Sequence, residues 1–286
     1  MPPAKRQRVT LRSHWLGQHL RELREENGLL LKEVADYLQR DVGTVSRFET
    51  GFYPIRRPDL LAMLDLYGVS KREHRETLLY FSADIWQKGW WDGYAKDVEG
   101  TFVDYAWLET RTSWIRVYEA IVVHGLFQTP EYAERVIRAH EPGADDKQVR
   151  RWLELRLTRQ RIIGAEDGPN LSMVLDEAVL GRRVGTRATM AAQLRHLAEV
   201  AALPSIDVRV LPLDAGTPAT PGGAFVLFEM PDPFPDVAYT ETLSGGVYVE
   251  TPDLDAYVHA YDVRKDLALG PVESLNLINA KAEDWR

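Results

Sequence analysis

DVGTVSRFETG, residues 41–51, decides how the front of this 286-residue chain is read. Asp41 is a residue type that caps a helix by accepting from its free N–H groups. Val45 and Phe48 fall three apart on one face, and Gly51 suits the position after a helix because it tolerates positive φ. The spacing predicts a short helix over Val42–Thr50. Working outward, Leu16, Leu20 and Leu23 at i, i+4, i+7 predict a helix over Ser13–Asn27, closed by Gly28. Leu31, Val34, Ala35 and Leu38 predict a second over Leu31–Gln39. Beyond Gly51, Pro58 suits the first turn of a further helix, whose stripe Leu60, Met63, Leu64 and Tyr67 runs to Gly68. Short helices with a tight turn between the second and third describe a helix-turn-helix module over residues 13–80.

Bulk properties narrow the rest. The chain has no cysteine, which excludes disulfides, thiol catalysis and cysteine metal sites. No apolar run reaches the length of a membrane span, and the N-terminal MPPAKRQRVTLRSHW lacks the apolar stretch of a signal peptide. A cytoplasmic, nucleoid-associated protein with no membrane partner is the expectation. The net charge is −8, but residues 1–80 hold 14 Lys+Arg against 11 Asp+Glu, so the remainder carries the whole acidic excess. A basic head on an acidic body fits a small nucleic-acid-binding module joined to something that is not one. Residues 1–12, with Lys5, Arg6, Arg8 and Arg12, read either as a flexible basic arm that adds non-specific affinity or as a disordered end.

The run GLLLKEVADYLQRDVGTVSRFETG, residues 28–51, resembles the helix-turn-helix of the XRE (Cro/CI-type repressor) family. The resemblance rests on Ala35 in mid-helix, on Thr44-Val45-Ser46-Arg47, and on the ending Phe48-Glu49-x-Gly51, and it covers about residues 16–70. It implies that the helix from Val42 reads double-stranded DNA. It also implies a partly buried Arg24–Glu49 ion pair tying the first helix to the reading helix, a structural role. Side chains pointing away from Val45 and Phe48 include Gly43, Thr44, Ser46, Arg47 and Thr50. Of these, Arg47 alone has the fork for a bidentate contact to guanine. Val42 suits a thymine methyl, and Thr44 and Ser46 suit phosphate or either kind of base. Two departures thin the direct readout: Gly43 stands where a polar reading residue is common, and Leu30-Leu31 replaces a polar, cap-forming pair. Arg56 and Arg57, just after the reading helix, are placed to hold phosphates, which position a protein without specifying sequence. A module with so few base contacts binds weakly, so a homodimer on two half-sites is expected.

Residues 81–118 form a tryptophan-rich connector with Trp86, Trp90, Trp91, Trp107 and Trp114, expected to be helical and to pack at an interface. Trp107–Val123 reads as a helix. From 119 to 286 the pattern is mixed. Helices are expected from Pro130, over 145–164, over 189–202, over 253–267 and from Pro271. Strands are expected in LSMVLDEAVL, IDVRVLPL, GGAFVLFEM, DVAYTET and GGVYVE. The arginines of the second of these helices (Arg150, Arg151, Arg156, Arg159, Arg161) read as a solvated face. The whole is α+β: an all-α helix-turn-helix domain, then a larger domain with an antiparallel sheet and packed helices.

VHGLFQTPEYAERVI, LRLTRQRII, LDEAVLGRRVGT, QLRHLAEVAALPSIDVRVLPLDAG, GGAFVLFEM, YTETLSGGVYVE and ESLNLI are similar, in this order, to a large domain of undetermined role. That domain follows an XRE-type head in actinobacterial regulators of the WhiJ-like, antitoxin-like group; His124 stands here where that group has proline. The resemblance implies a repressing transcription regulator and a partner, a small protein encoded by a neighbouring gene that alters DNA binding. Motifs for catalysis are missing: no HExxH, no GxSxG, no Walker A, and no histidines at metal-ligand spacing. No catalytic, metal or cofactor residues are assigned, and an enzyme is not expected. Asp176, Glu177, Glu241 and Glu250 lie on or beside predicted strands, either as edge charges that discourage aggregation or as the lining of a pocket. Two readings of the body stay open: a partner-protein and dimerisation domain, or a small-molecule sensor with a pocket in strands 206–250 that favours cationic ligands.

Overall fold

The computed structural model describes residues 9–94, 96, 98, 100–216 and 222–286. The chain forms two units, Met1–Asp92 and Gly93–Arg286. Among the described residues the first holds five α-helices: α1 (Leu11–Glu26), α2 (Leu31–Leu38), α3 (Val42–Glu49), α4 (Arg57–Leu66) and α5 (Arg72–Ile85). Thr10 caps α1 by accepting from the Ser13 amide at 3.2 Å, and Gly28, at φ +65, follows its end. The stripes meet in one core, where Leu16, Leu20, Val34, Ala35, Val45, Leu60, Met63 and Leu64 are all buried. α1 and α3 touch backbone to side: a Cβ on Gly17 would sit 2.6 Å from the Glu49 carbonyl oxygen, so glycine is what allows the approach.

Lys5, Arg6 and Arg8 of the basic segment lie outside the described residues. Arg12 does not belong to an arm. It sits in the first turn of α1, buried, donating to the Asp84 carbonyl at 2.9 Å and meeting the Asp84 carboxylate at 3.4 Å. The stretch 81–118 is divided. Its start completes α5 and Trp91 is buried in the first unit, whereas α6 (Gly100–Arg111) and β1 (Trp114–Glu119) belong to the second.

β1 corrects the reading of Trp107–Val123 as one helix. Thr112 and Ser113 end α6 because their polar groups turn to the sheet. The Thr112 hydroxyl is 2.8 Å from the Trp114 carbonyl and 2.7 Å from that of Glu229, and the Ser113 amide donates to Glu229 at 2.9 Å. The strand itself, WIRVYE, is rich in β-branched and aromatic residues and lies in the interior of the sheet. The sheet order is β3-β2-β1-β4-β5-β6, with β2 (Asn170–Asp176), β3 (Ile206–Leu211), β4 (Phe225–Glu229), β5 (Val237–Thr242) and β6 (Gly245–Val249). β1, β2 and β3 are parallel, and β4, β5 and β6 form an antiparallel meander, so the sheet of this α+β fold is mixed rather than antiparallel throughout. Parallel neighbours need long crossovers, which helices supply. These are α7 (Pro130–His140) and α8 (Asp146–Arg159) between β1 and β2, and α9 (Glu177–Gly181) and α10 (Arg187–Val200) between β2 and β3.

Helices cover both faces. α11 (Leu254–Leu267) lays Leu254, Ala260 and Tyr261 on Tyr118, Val174, Phe225 and Leu227. Tyr105 of α6 packs on the other face, its ring 5.3 Å from Phe228 and 4.6 Å from Tyr239. α12 (Pro271–Asp284) closes the edge of β3. The Val210 amide donates to Ser274 Oγ and the Leu269 amide donates to the Val210 carbonyl, each at 2.9 Å, so this edge offers no free template there.

Candidate nucleic-acid interface

α3 starts on Asp41, whose carboxylate accepts from the Thr44 amide at 2.8 Å and from the Thr44 hydroxyl. Arg47 lies back along the helix toward the same group. It donates to Thr44 Oγ1 at 3.2 Å, stands 3.6 Å from the Asp41 carboxylate, and stacks on Tyr53 with its guanidinium 4.8 Å from the ring centroid. Gly43 makes room for this: a Cβ there would lie 3.1 Å from the Asp41 carboxylate and 3.6 Å from the Arg47 guanidinium. Hydrogen bonds from Thr44, reinforced by Arg47, hold the Asp41 carboxyl below the usual carboxylate range. Val42 and Gly43 are exposed, Thr44, Ser46 and Arg47 half-buried. The Thr50 hydroxyl is turned back onto the Ser46 carbonyl at 2.9 Å, which takes it away from solvent-side contacts.

Behind the helix, Arg24 holds Glu49 with two parallel bonds, Nε to Oε1 at 2.7 Å and Nη2 to Oε2 at 3.0 Å, while its Nη1 donates to the Leu29 carbonyl at 3.0 Å. Both side chains are buried, and the bond to Glu49 raises the Arg24 pKa. One guanidinium thus fixes the end of α3 to α1 and to the turn that opens α2. The polar pair absent at Leu30-Leu31 has a partial substitute. Leu30 has no side chain that can cap, but the Glu33 carboxylate accepts from the Leu30 amide at 2.7 Å, half of a capping box.

Arg56 and Arg57 open α4 and are both exposed, and among the described residues no carboxylate pairs with either. The free amides at a helix start add to their attraction for anions. A residue that sequence reasoning did not assign supports this segment: Trp86, at the end of α5, donates from Nε1 to the Ile55 carbonyl at 3.3 Å, and Ser82 donates to the same oxygen at 3.3 Å. Arg56, Arg57 and Trp86 line one shallow depression of about 280 Å³. The sequence placed Trp86 only among the connector tryptophans expected to pack at an interface.

The second unit disperses most of the carboxylates that the sequence grouped. Asp176 caps α9 through the Ala178 amide at 2.9 Å; Glu177 takes the Leu213 amide at 3.1 Å and Lys281 at 3.3 Å. Nor is the arginine rank of α8 a uniform solvated face. Arg159 is buried on Glu109 through two bonds of 2.7 Å. Arg151 stacks on Tyr94 with its guanidinium 3.9 Å from the ring centroid. Arg156 turns inward to Gln128 Oε1 at 2.6 Å, and burial pushes its pKa down to about 10. His124, in place of proline, is buried. Its Nδ1 accepts from the Leu126 amide at 3.4 Å and its Nε2 meets the Tyr105 hydroxyl at 3.0 Å, so it supports the turn it begins. Burial, then Arg159 and Arg156, drive its pKa down to about 3.

Residues 15–78 match the family model of a helix-turn-helix domain, and residues 102–280 match that of a domain of unknown function, DUF5753. No curated protein and no solved structure matches the chain. The helix-turn-helix match makes the first unit a DNA-binding module of a regulator. Among the described residues, no helix is long and apolar enough to cross a membrane.

Proposed function

The chain belongs to the DUF5753 family, and on that premise we propose that it is a homodimeric, sequence-specific transcriptional repressor of the XRE type, of the WhiJ-like, antitoxin-like group. The carrying observation is the pairing, on one helical unit, of a capped recognition helix bearing Arg47 with two exposed arginines at the start of the next helix that no carboxylate pairs among the described residues. In this reading two recognition helices enter successive major grooves about one DNA turn apart. Val42, Gly43, Thr44, Ser46 and Arg47 face the bases, and Arg56 and Arg57 hold phosphates. Arg24 and Glu49 keep the recognition helix at a fixed angle to its support. Residues 13–80 are the DNA-binding domain, and the second unit, from Gly93 to Arg286, is the domain that receives the signal, a small protein encoded by a neighbouring gene.

The test is binding of the purified protein to DNA from its own upstream region at two salt concentrations, with and without the product of any small adjacent gene. Operator binding that the small protein changes supports the reading. Binding that shows no sequence preference at either salt sinks it. A second reading, a small-molecule sensor, is favoured by one specific observation in the second unit: a carboxylate, Glu119, that is enclosed by protein and has no partner among the described residues.

A further inference from the structure

We propose that the second unit binds a small organic cation, through a primary ammonium or guanidinium group, against Glu119 and Glu241 at the carboxyl end of β1. The proposal rests on the regulator reading for its purpose, since the cation would be the signal, but not for its chemistry.

Position is the first argument. β1 is the strand where the sheet order turns: the chain leaves it toward β2 and β3 on one side and returns to β4 on the other. In sheets with parallel crossovers, ligands seat beyond the carboxyl ends of strands at such a point. Glu119 is the last residue of β1. The registers Tyr118↔Phe225 and Val226↔Tyr239, continued to the strand ends, bring Ala224 and Glu241 into line with Glu119 on one face. The two carboxylates therefore stand two strands apart, about 10 Å between backbones, with the small side chain of Ala224 between them.

The second argument is the state of these groups. The Glu119 side chain is packed around by protein yet keeps a window of solvent exposure, and no hydrogen bond or ion pair reaches its carboxylate from the described residues. The buried guanidinium nearest in charge, Arg156, bonds the neutral Gln128 instead, and Arg159 is committed to Glu109. Charged and titratable groups face Glu119 from every element around it: Glu241 of β5, Arg156 of α8, Tyr105 of α6 and Tyr132 of α7. Two carboxylates against one guanidinium leave this strand end short of a positive charge. Burial, and then Glu241, push Glu119 up to about 8, so at neutral pH a proton fills the deficit. An ammonium group beside Glu119 takes over that role and releases the proton.

The flanking rings suit a cation as well. On the same face, in the row beside the carboxylates, the Tyr239 ring lies 4.6 Å from Tyr105 and 5.2 Å from Tyr248, an aromatic surface of the kind that attracts cations.

The experiment is calorimetric titration of the full-length protein, without DNA, with putrescine and with butylammonium at pH 7 and pH 9. Saturable binding is expected, about tenfold tighter at pH 9 because only ionised Glu119 accepts the cation. The heat at pH 7 should depend on the buffer, reporting the released proton. Glu119→Gln, which mimics the protonated acid and should fold, loses both the binding and its pH dependence. Glu166→Gln, an exposed loop carboxylate, binds as wild type. No saturable binding at either pH, or equal binding by Glu119→Gln, overturns the proposal. Operator binding measured on the same sample separates the two readings: DNA binding without cation binding sinks this one alone, and cation binding without DNA binding sinks the regulator alone.

Discussion

Arg47, the proposed reading residue, is a side chain already engaged. Asp41, Thr44 and Tyr53 hold it along the helix before DNA arrives, and reading guanine requires it to exchange those partners for base edges. Arg47→Ala should cost about 1–3 kcal/mol of operator binding and relax preference at one base pair, measured by competition between operator variants. Equal affinity for wild type and variant would place the reading face elsewhere. Two buried groups set a pH profile of stability with opposite signs. His124 has a folded pKa near 3, below its ordinary 6.5, so the fold disfavours its proton and stability falls as pH drops from 6.5 toward 3. Glu119 is raised to about 8 from 4.5, so the fold favours its proton and stability falls as pH rises from 4.5 to 8. Melting temperatures across pH should show both slopes, and Glu119→Gln should remove the alkaline one.

The helices of the head were legible because their stripes and caps are local: Leu16, Leu20, Asp41, Gly51 and Pro58 act within a few residues of themselves. β1 was not legible. Its neighbours on either side read as helix, and the strand is defined by bonds from Thr112 and Ser113 to Glu229, more than a hundred positions away. Missing β1 also hid Glu119, and with it the convergence of that residue on Glu241. Of the four carboxylates picked from the sequence, Asp176 proved to be a local cap and Glu177 a long-range partner of Leu213 and Lys281, which pattern alone does not distinguish from a site. Arg156 looked like its exposed neighbours because three successive turns of α8 carry arginine. At this scale Gly17 gives the sharpest test. Gly17→Ala sets a methyl 2.6 Å from the Glu49 carbonyl and must push α1 and α3 apart. A loss of about 1–3 kcal/mol in stability is expected, read by denaturant melts, with weaker operator binding as α3 tilts.

For the whole molecule, charge and architecture divide the work. The chain carries net −8 while its first 80 residues are mildly basic, so affinity for DNA is expected to depend on a few placed arginines rather than on a general field. Arg56→Ala should therefore weaken all sequences alike and flatten the dependence of log K on log salt by about 0.9, measured by titration at four salt concentrations. An unchanged slope would mean that Arg56 does not touch phosphate. The bond between Arg12 and Asp84 has a further bearing on this division. It clasps the first helix of the head to the last, inside one unit that ends at Asp92. A module closed on itself in that way is portable. Grafted onto an unrelated dimerising scaffold, residues 9–92 should carry their operator preference with them while shedding whatever signal the native body obeys, and a reporter gene under that operator would register a repressor that is always on.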